Sequence, residues 1–288
     1  MANYYCLIAG LPDIDLADAQ PGYPMEEFVE QLHDSLSFLD ARLMANYFFL
    51  QRDCQNLVGF LKNPEAELKY EGSYTKEQFT DLVKSATEMN FNVHRYPQFM
   101  SIFAREWSFN KDKKGYYPED EILYLFYKYA IDTCSNSFVR EWYQMNMNIN
   151  NVLTALLARK YGWNVSDYIK GEGEVQDKLR EENSADFDLS RDLDYLKELI
   201  HIAEQEDPVK KEKMIDALKW IWLDENTFFE PFGIEAVFAY MCKLEIQYRW
   251  ANLDVEKGKE SFEQIVENLR GEARVPDEYK VQSAFAVK

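Results

Sequence analysis

The sequence predicts an all-α protein. Apolar residues recur every three or four positions over long stretches, and helix start and stop residues bracket those stretches. Turn-formers are scarce, with 11 Gly and 9 Pro in 288 residues, which argues against a turn-rich sandwich. At 47% hydrophobic and 29% charged the composition is that of a globular protein able to bury a sizeable core.

The opening apolar run, residues 4–11, ends at Pro12-Asp13 and reads as a short strand or a buried extended segment. It is too short for a membrane span and lacks the basic flank of a signal peptide, so a cytoplasmic chain is expected. Pro24 opens a helical region reaching Lys62, with Phe28, Leu32, Leu36 and Leu39 on one face. A second helix from about residue 40 carries Leu43, Tyr47, Leu50, Leu57 and Leu61, and Asn63-Pro64 ends it, because the residue before proline is pushed out of the helical region. Thr75 and Gln78 form a capping box for a helix to about residue 89, and another helix is expected over 97–109. Pro118 followed by Glu119, Asp120 and Glu121 is a strong helix start. The helical pattern then runs to Tyr161, broken near Ser135-Asn136-Ser137 and capped by Gly162. Gly171-Glu172-Gly173 and residues 184–190 read as connections. Helices are expected over 191–205 and 208–223, followed by a pair closing at Gly271, with a loose tail from 272.

Fifty-one acidic against 32 basic residues give a formal charge of -19, which repels phosphate backbones and anionic headgroups. Neither nucleic-acid binding nor lipid insertion is expected; a basic protein partner is. Cys6, Cys54, Cys134 and Cys242 are widely spaced and read as small buried hydrophobes in a reducing compartment. His94 stands alone, and there is no phosphate loop and no nucleophile elbow. Glu30-x-x-His33 and Glu198-x-x-His201 are the pairs that a di-iron or manganese carboxylate bundle uses twice, with two further glutamates from other helices. In a glutamate-rich chain each is equally an accidental pair on a solvated face. Trp220, Trp222, Phe228 and Phe229 read as an aromatic anchor for a partner or as an internally packed hinge.

Two segments carry a family resemblance. Residues 233–271, GIEAVFAYMCKLEIQYRWANLDVEKGKESFEQIVENLRG, give a long amphipathic helix, a Gly-Lys turn and a short closing helix. Tyr240, Glu245, Arg249, Gly258, Lys259 and Leu269-Arg270 stand where the C subunit (d in eukaryotes) of V-type and A-type rotary ATPases has its C-terminal signature. Residues 151–162, NVLTALLARKYG, resemble that family's Asn-Ile-x-x-x-Leu-Arg-x-Lys-x-x-Gly stretch, with Leu157 in place of its Arg and Asn148 in place of the preceding Asp. The opening YYCLIAGLP of residues 4–12 also looks like that of a bacterial family associated with V-type ATPase subunits. A weak internal echo, Asp53 to Leu61 against Asn148 to Leu156, repeats an Asn-aliphatic pattern 95 residues apart.

The resemblance implies three similar helical subdomains (1–95, 96–185 and 186–271, with 272–288 as a tail) around an approximate three-fold axis in a funnel-like body. It implies a non-catalytic socket between the central shaft and the membrane rotor ring, with no cofactor, metal or small-molecule substrate. An unrelated helical adaptor would share the amphipathic pattern. The resemblance assigns Asn151, Arg159, Glu245, Arg249 and Lys259 to partner-facing positions. Read without it, Asn151 bonds backbone at a helix junction, Arg159 complements a helix C-terminus, and Glu245 with Arg249 is an ordinary i,i+4 pair.

Overall fold

The computed structural model describes residues 3–18, 20–88 and 95–252. Gly258, Lys259, Leu269-Arg270, the closing helix, the tail from 272 and His94 lie outside the described residues. Among those described, regular structure is helical: α1 (Tyr5–Gly10), α2 (Met25–Ser35), α3 (Phe38–Leu43), α4 (Leu50–Lys62), α5 (Lys76–Thr87), α6 (Gln98–Asn110), α7 (Pro118–Thr133), α8 (Ser137–Tyr161), α9 (Glu174–Glu181), α10 (Leu196–Ala203), α11 (Pro208–Thr227) and α12 (Ile234–Asn252). No helix of the described residues is long and apolar enough to cross a membrane.

Local chemistry sets most boundaries. Thr75 accepts from the Gln78 amide while the Gln78 side chain accepts from the Thr75 amide, the expected capping box of α5. Asn136 caps α8 by accepting from Val139, and Gly162 ends that helix at φ 68°, where a Cβ would be strained. Asp207 caps α11 through the amides of Val209 and Lys210. Between α3 and α4 the helix widens into π-type turns over Met44–Phe49. The extra residue rotates the register, so that Met44, Tyr47, Phe48 and Leu50 are all buried.

Five expectations are corrected. The opening run is the helix α1, not a strand; Leu7 packs inward and the Tyr4 amide donates to the Phe232 carbonyl at 2.8 Å. The face through Phe28 and Leu32 stops at Ser35: Leu36 is the extended C-cap, and Leu39, on α3, is 74% exposed. The helix expected over 191–205 contracts to α10, because residues 184–195 form successive turns with Phe187 and Asp188 at positive φ. The connection after Gly173 contains α9, which the glycines concealed. Cys6 is exposed, whereas Cys54, Cys134 and Cys242 are buried as expected.

A single buried apolar cluster runs from Tyr4 to Leu244 and draws on every long helix. Its aromatic centre joins distant segments: Phe238 of α12 meets Phe48, Phe138 and Tyr143, and Phe28 meets Tyr240. The α12 helix thus packs against both the N-terminal and the middle parts of the chain.

Candidate functional site

The polar residues buried in this core are ties between helices and loops. Asn56 on α4 donates to the Tyr70 carbonyl at 2.8 Å and accepts from the Tyr70 amide at 3.0 Å. Asn151 on α8 does the same to Lys170, at 2.9 and 3.0 Å. Each carboxamide substitutes for a backbone peptide unit and pins the loop that leads into the next helix, α5 or α9. Gln247 on α12 makes a related clamp that bridges two residues of the loop before α2, donating to the Asp15 carbonyl at 2.7 Å and accepting from the Gly22 amide at 3.0 Å. Asn56, Asn151 and Gln247 are buried and lie 95 and 96 residues apart. The sequence echo therefore marks a contact repeated at Asn56 and Asn151, and Gln247 adds a related clamp that the sequence hides because glutamine replaces asparagine and the loop it holds lies at the other end of the chain.

A carboxamide three residues on from a second buried polar group completes two of these junctions. Asp53, one turn before Asn56, accepts from the Ser73 amide at 2.9 Å and the Tyr74 amide at 3.2 Å. Burial outweighs those two donors and pushes its carboxyl up to about 6. Asn148, one turn before Asn151, accepts from Gln144 at 3.1 Å and from the buried Gln176 at 3.4 Å.

Charged residues tie α12 to its neighbours. Glu245 does not pair with Arg249. It accepts from buried Arg52 of α4 at 3.0 Å, and the Arg52 guanidinium also lies 4.8 Å from the Phe48 ring centroid. Arg249 instead pairs with Asp216 of α11, whose carboxylate also accepts from the Trp250 indole at 2.7 Å. The i,i+4 reading is thus replaced by two interhelical pairs, because the core-facing side of α12 turns Glu245 and Arg249 toward different neighbours. Lys219, beside this second pair on α11, has its ammonium pKa lowered by burial.

Of the residues the family resemblance singles out, Asn151 is 4% exposed and its carboxamide bonds Lys170 through both its nitrogen and its oxygen. Arg159 donates to the carbonyls of Glu182 and Ser184 and lies 3.5 Å from the centroid of the Phe187 ring. It holds the turn after α9 and makes no bond to the end of its own helix. Glu245 and Arg249 keep side-chain exposures of 39% and 45%, so these two remain accessible. Lys259 lies outside the described residues.

The carboxylate-histidine pairs do not converge. Glu30, His33, Glu198 and His201 are all exposed, and among the described residues no three His, Cys, Asp or Glu side chains gather as a metal site. The aromatic anchor divides: Trp220 is buried, Trp222 packs on Phe138 and Trp142, and Phe228 and Phe229 stand 74% and 89% exposed.

The fold and these ties define an all-helical protein whose buried polar groups hold its own loops and helices in register. The chain belongs to the family described as "Protein of unknown function (DUF2764)", which matches residues 1–273. No match was found among curated proteins or solved structures.

Proposed function

We propose that this protein is a non-catalytic socket subunit of a V-type rotary ATPase, joining the central shaft to the membrane rotor ring at the inner face of the membrane. The observation that carries this reading is the recurrence of one loop-clamping carboxamide, at Asn56, Asn151 and Gln247, at intervals of 95 and 96 residues. Two matching junctions and a related third at that spacing are what three similar helical subdomains about an axis would produce, and the C subunits that the sequence resembles are built that way. The third junction fastens α12 to the loop before α2, so the repeat closes on itself.

The energetics suit a part that passes torque. The protein's three clamps and two half-buried ion pairs resist relative sliding of helices, since breaking them leaves a buried carboxamide, the buried Arg52 or the buried Asp216 without its partner. Glu245 and Arg249, half-accessible on α12, are the resemblance-assigned residues in a position to meet a partner. The -19 charge favours a basic shaft tip, with association slowing as salt rises.

The test is affinity purification of the tagged chain from its native membranes in mild detergent, with mass spectrometry of the associated proteins. Recovery of the catalytic head, shaft and rotor ring in reproducible proportion is the expected result. Recovery of the chain without them overturns the reading.

A further inference from the structure

Lys219 lies where α11 packs against α12 and takes no part in the ties between them. Glu212, Asp216, Lys219 and Leu223 follow one another at helical spacing along α11, so they share one face. Asp216 and Leu223 are buried, which turns that face toward the core. Arg249 of α12 occupies both acids, pairing with Asp216 and lying 3.5 Å from Glu212. The Trp250 indole takes the same Asp216 oxygen at 2.7 Å. Among the described residues Lys219 is left with neither hydrogen bond nor ion pair. It is half-buried. Its nitrogen nonetheless touches water, since no fully buried side-chain nitrogen among the described residues lacks a partner.

This setting makes an amine reactive. A lysine drawn partly out of water, beside a second cation and with the neighbouring carboxylates already engaged, holds its proton poorly and presents a neutral nucleophile. The groups that act on Lys219 are Asp216 and Glu212 of α11 and Arg249 and Cys242 of α12. Burial lowers the pKa of its ammonium and Arg249 pushes the same way, while Asp216, Glu212 and the Cys242 thiol oppose them without prevailing.

We infer that Lys219 is an acylation site, its amine attacking the carbonyl carbon of a small acyl phosphate. The new N–C bond replaces the C–O bond to phosphate, phosphate leaves with that electron pair, and the amine's proton passes to it or to water. Nothing is oxidised or reduced. A small donor is the kind that a half-buried nitrogen admits, and the product is a neutral amide beside Arg249. The inference stands whether or not the protein belongs to a rotary ATPase, because it rests on the α11 and α12 residues alone.

The test incubates the full chain with acetyl phosphate at pH 7 and follows acetyl-lysine by mass spectrometry at Lys219 and at Lys160, exposed at the end of α8. Half-burial by itself slows acylation, so a lead for Lys219 is a result that shielding cannot produce. Lys219 is expected to react about threefold or more faster than Lys160, as for a lysine activated by desolvation and a neighbouring cation. The lead should shrink at pH 10, where ordinary lysines also carry free amine. Arg249→Gln releases Asp216 to pair with Lys219 and should reduce the lead, whereas Glu212→Gln removes an opposing acid and should extend it. Circular dichroism of both variants checks that the fold is kept, and Glu212 is an exposed position. Acetylation of Lys219 no faster than that of Lys160, a lead that does not shrink at pH 10, or one that neither variant moves overturns the proposal.

Discussion

Replacing Asn151 by alanine removes both hydrogen bonds that hold Lys170. Each is a side-chain bond to backbone of ordinary length, with a net worth of about 1 kcal/mol. Lys170 lies at the surface, so water can reach the freed amide and carbonyl, and the larger penalty of a fully buried orphan does not apply. The expected loss is therefore about 2 kcal/mol, or a fall in Tm of roughly 4–8 °C for a chain of this size class. Urea unfolding followed by far-UV circular dichroism measures it directly, with Leu157→Ala, an exposed change one and a half turns away, as the reference. Asn56→Ala should lose a similar amount. The double variant should lose the sum of the two, because Asn56 and Asn151 share no partner. A loss below about 0.5 kcal/mol, the level of an ordinary surface substitution, would refute the view that the carboxamides hold these loops.

Asp53 gives a pH signature of defined sign. Its folded pKa, about 6, lies above the ordinary 3.8, so the folded state binds the proton more tightly and burial of the ionised form costs about 3 kcal/mol at neutral pH. That cost is relieved as pH falls through 6 toward 4, so the stability gap between the wild type and Asp53→Asn should move in the wild type's favour over that window; a pH-independent gap would contradict it. Gly72→Ala places a Cβ 2.0 Å from Asp53 Oδ1 and should destabilise by about 1–3 kcal/mol in thermal melts, while Gly10→Ala, with open space around it, should not. Arg52→Met leaves Glu245 half-exposed and solvated but empties the cation from between Phe48 and Glu245; a loss of about 1–3 kcal/mol is expected, recovered in part by adding Glu245→Leu.

The fold was legible where a local rule determines it. The capping box at Thr75, the proline start at Pro118, the Asn136 break and the Gly162 stop each depend on residues within one turn, and each is where the sequence puts it. The α1 helix has no cap from the residue ahead of it, Tyr4, which is tied to Phe232; the side chain that accepts from its first amide, Asn3, stands one residue earlier than a cap is sought. The misplaced part of the site fails for the same reason. Glu245 and Arg249 stand in i,i+4 register, yet their partners lie 193 and 33 residues away, and spacing along a helix carries no information about a neighbour across it. Asn56 and Asn151 were visible as an echo, but only the bonds to Gly22 and Asp15 reveal Gln247 as the third.

The clamp between Gln247 and the loop at Gly22 also sets a schedule. Gly22 and Gln247 are separated by 225 residues, which a ribosome adding roughly 5–20 residues per second needs about 11–45 s to traverse. Throughout that interval the apolar face of α2, with Phe28 awaiting Tyr240, has no α12 to cover it. The α2 segment, made long before α12, is therefore among the last to be finished, and it is there that a nascent chain of this family would need protection from its neighbours.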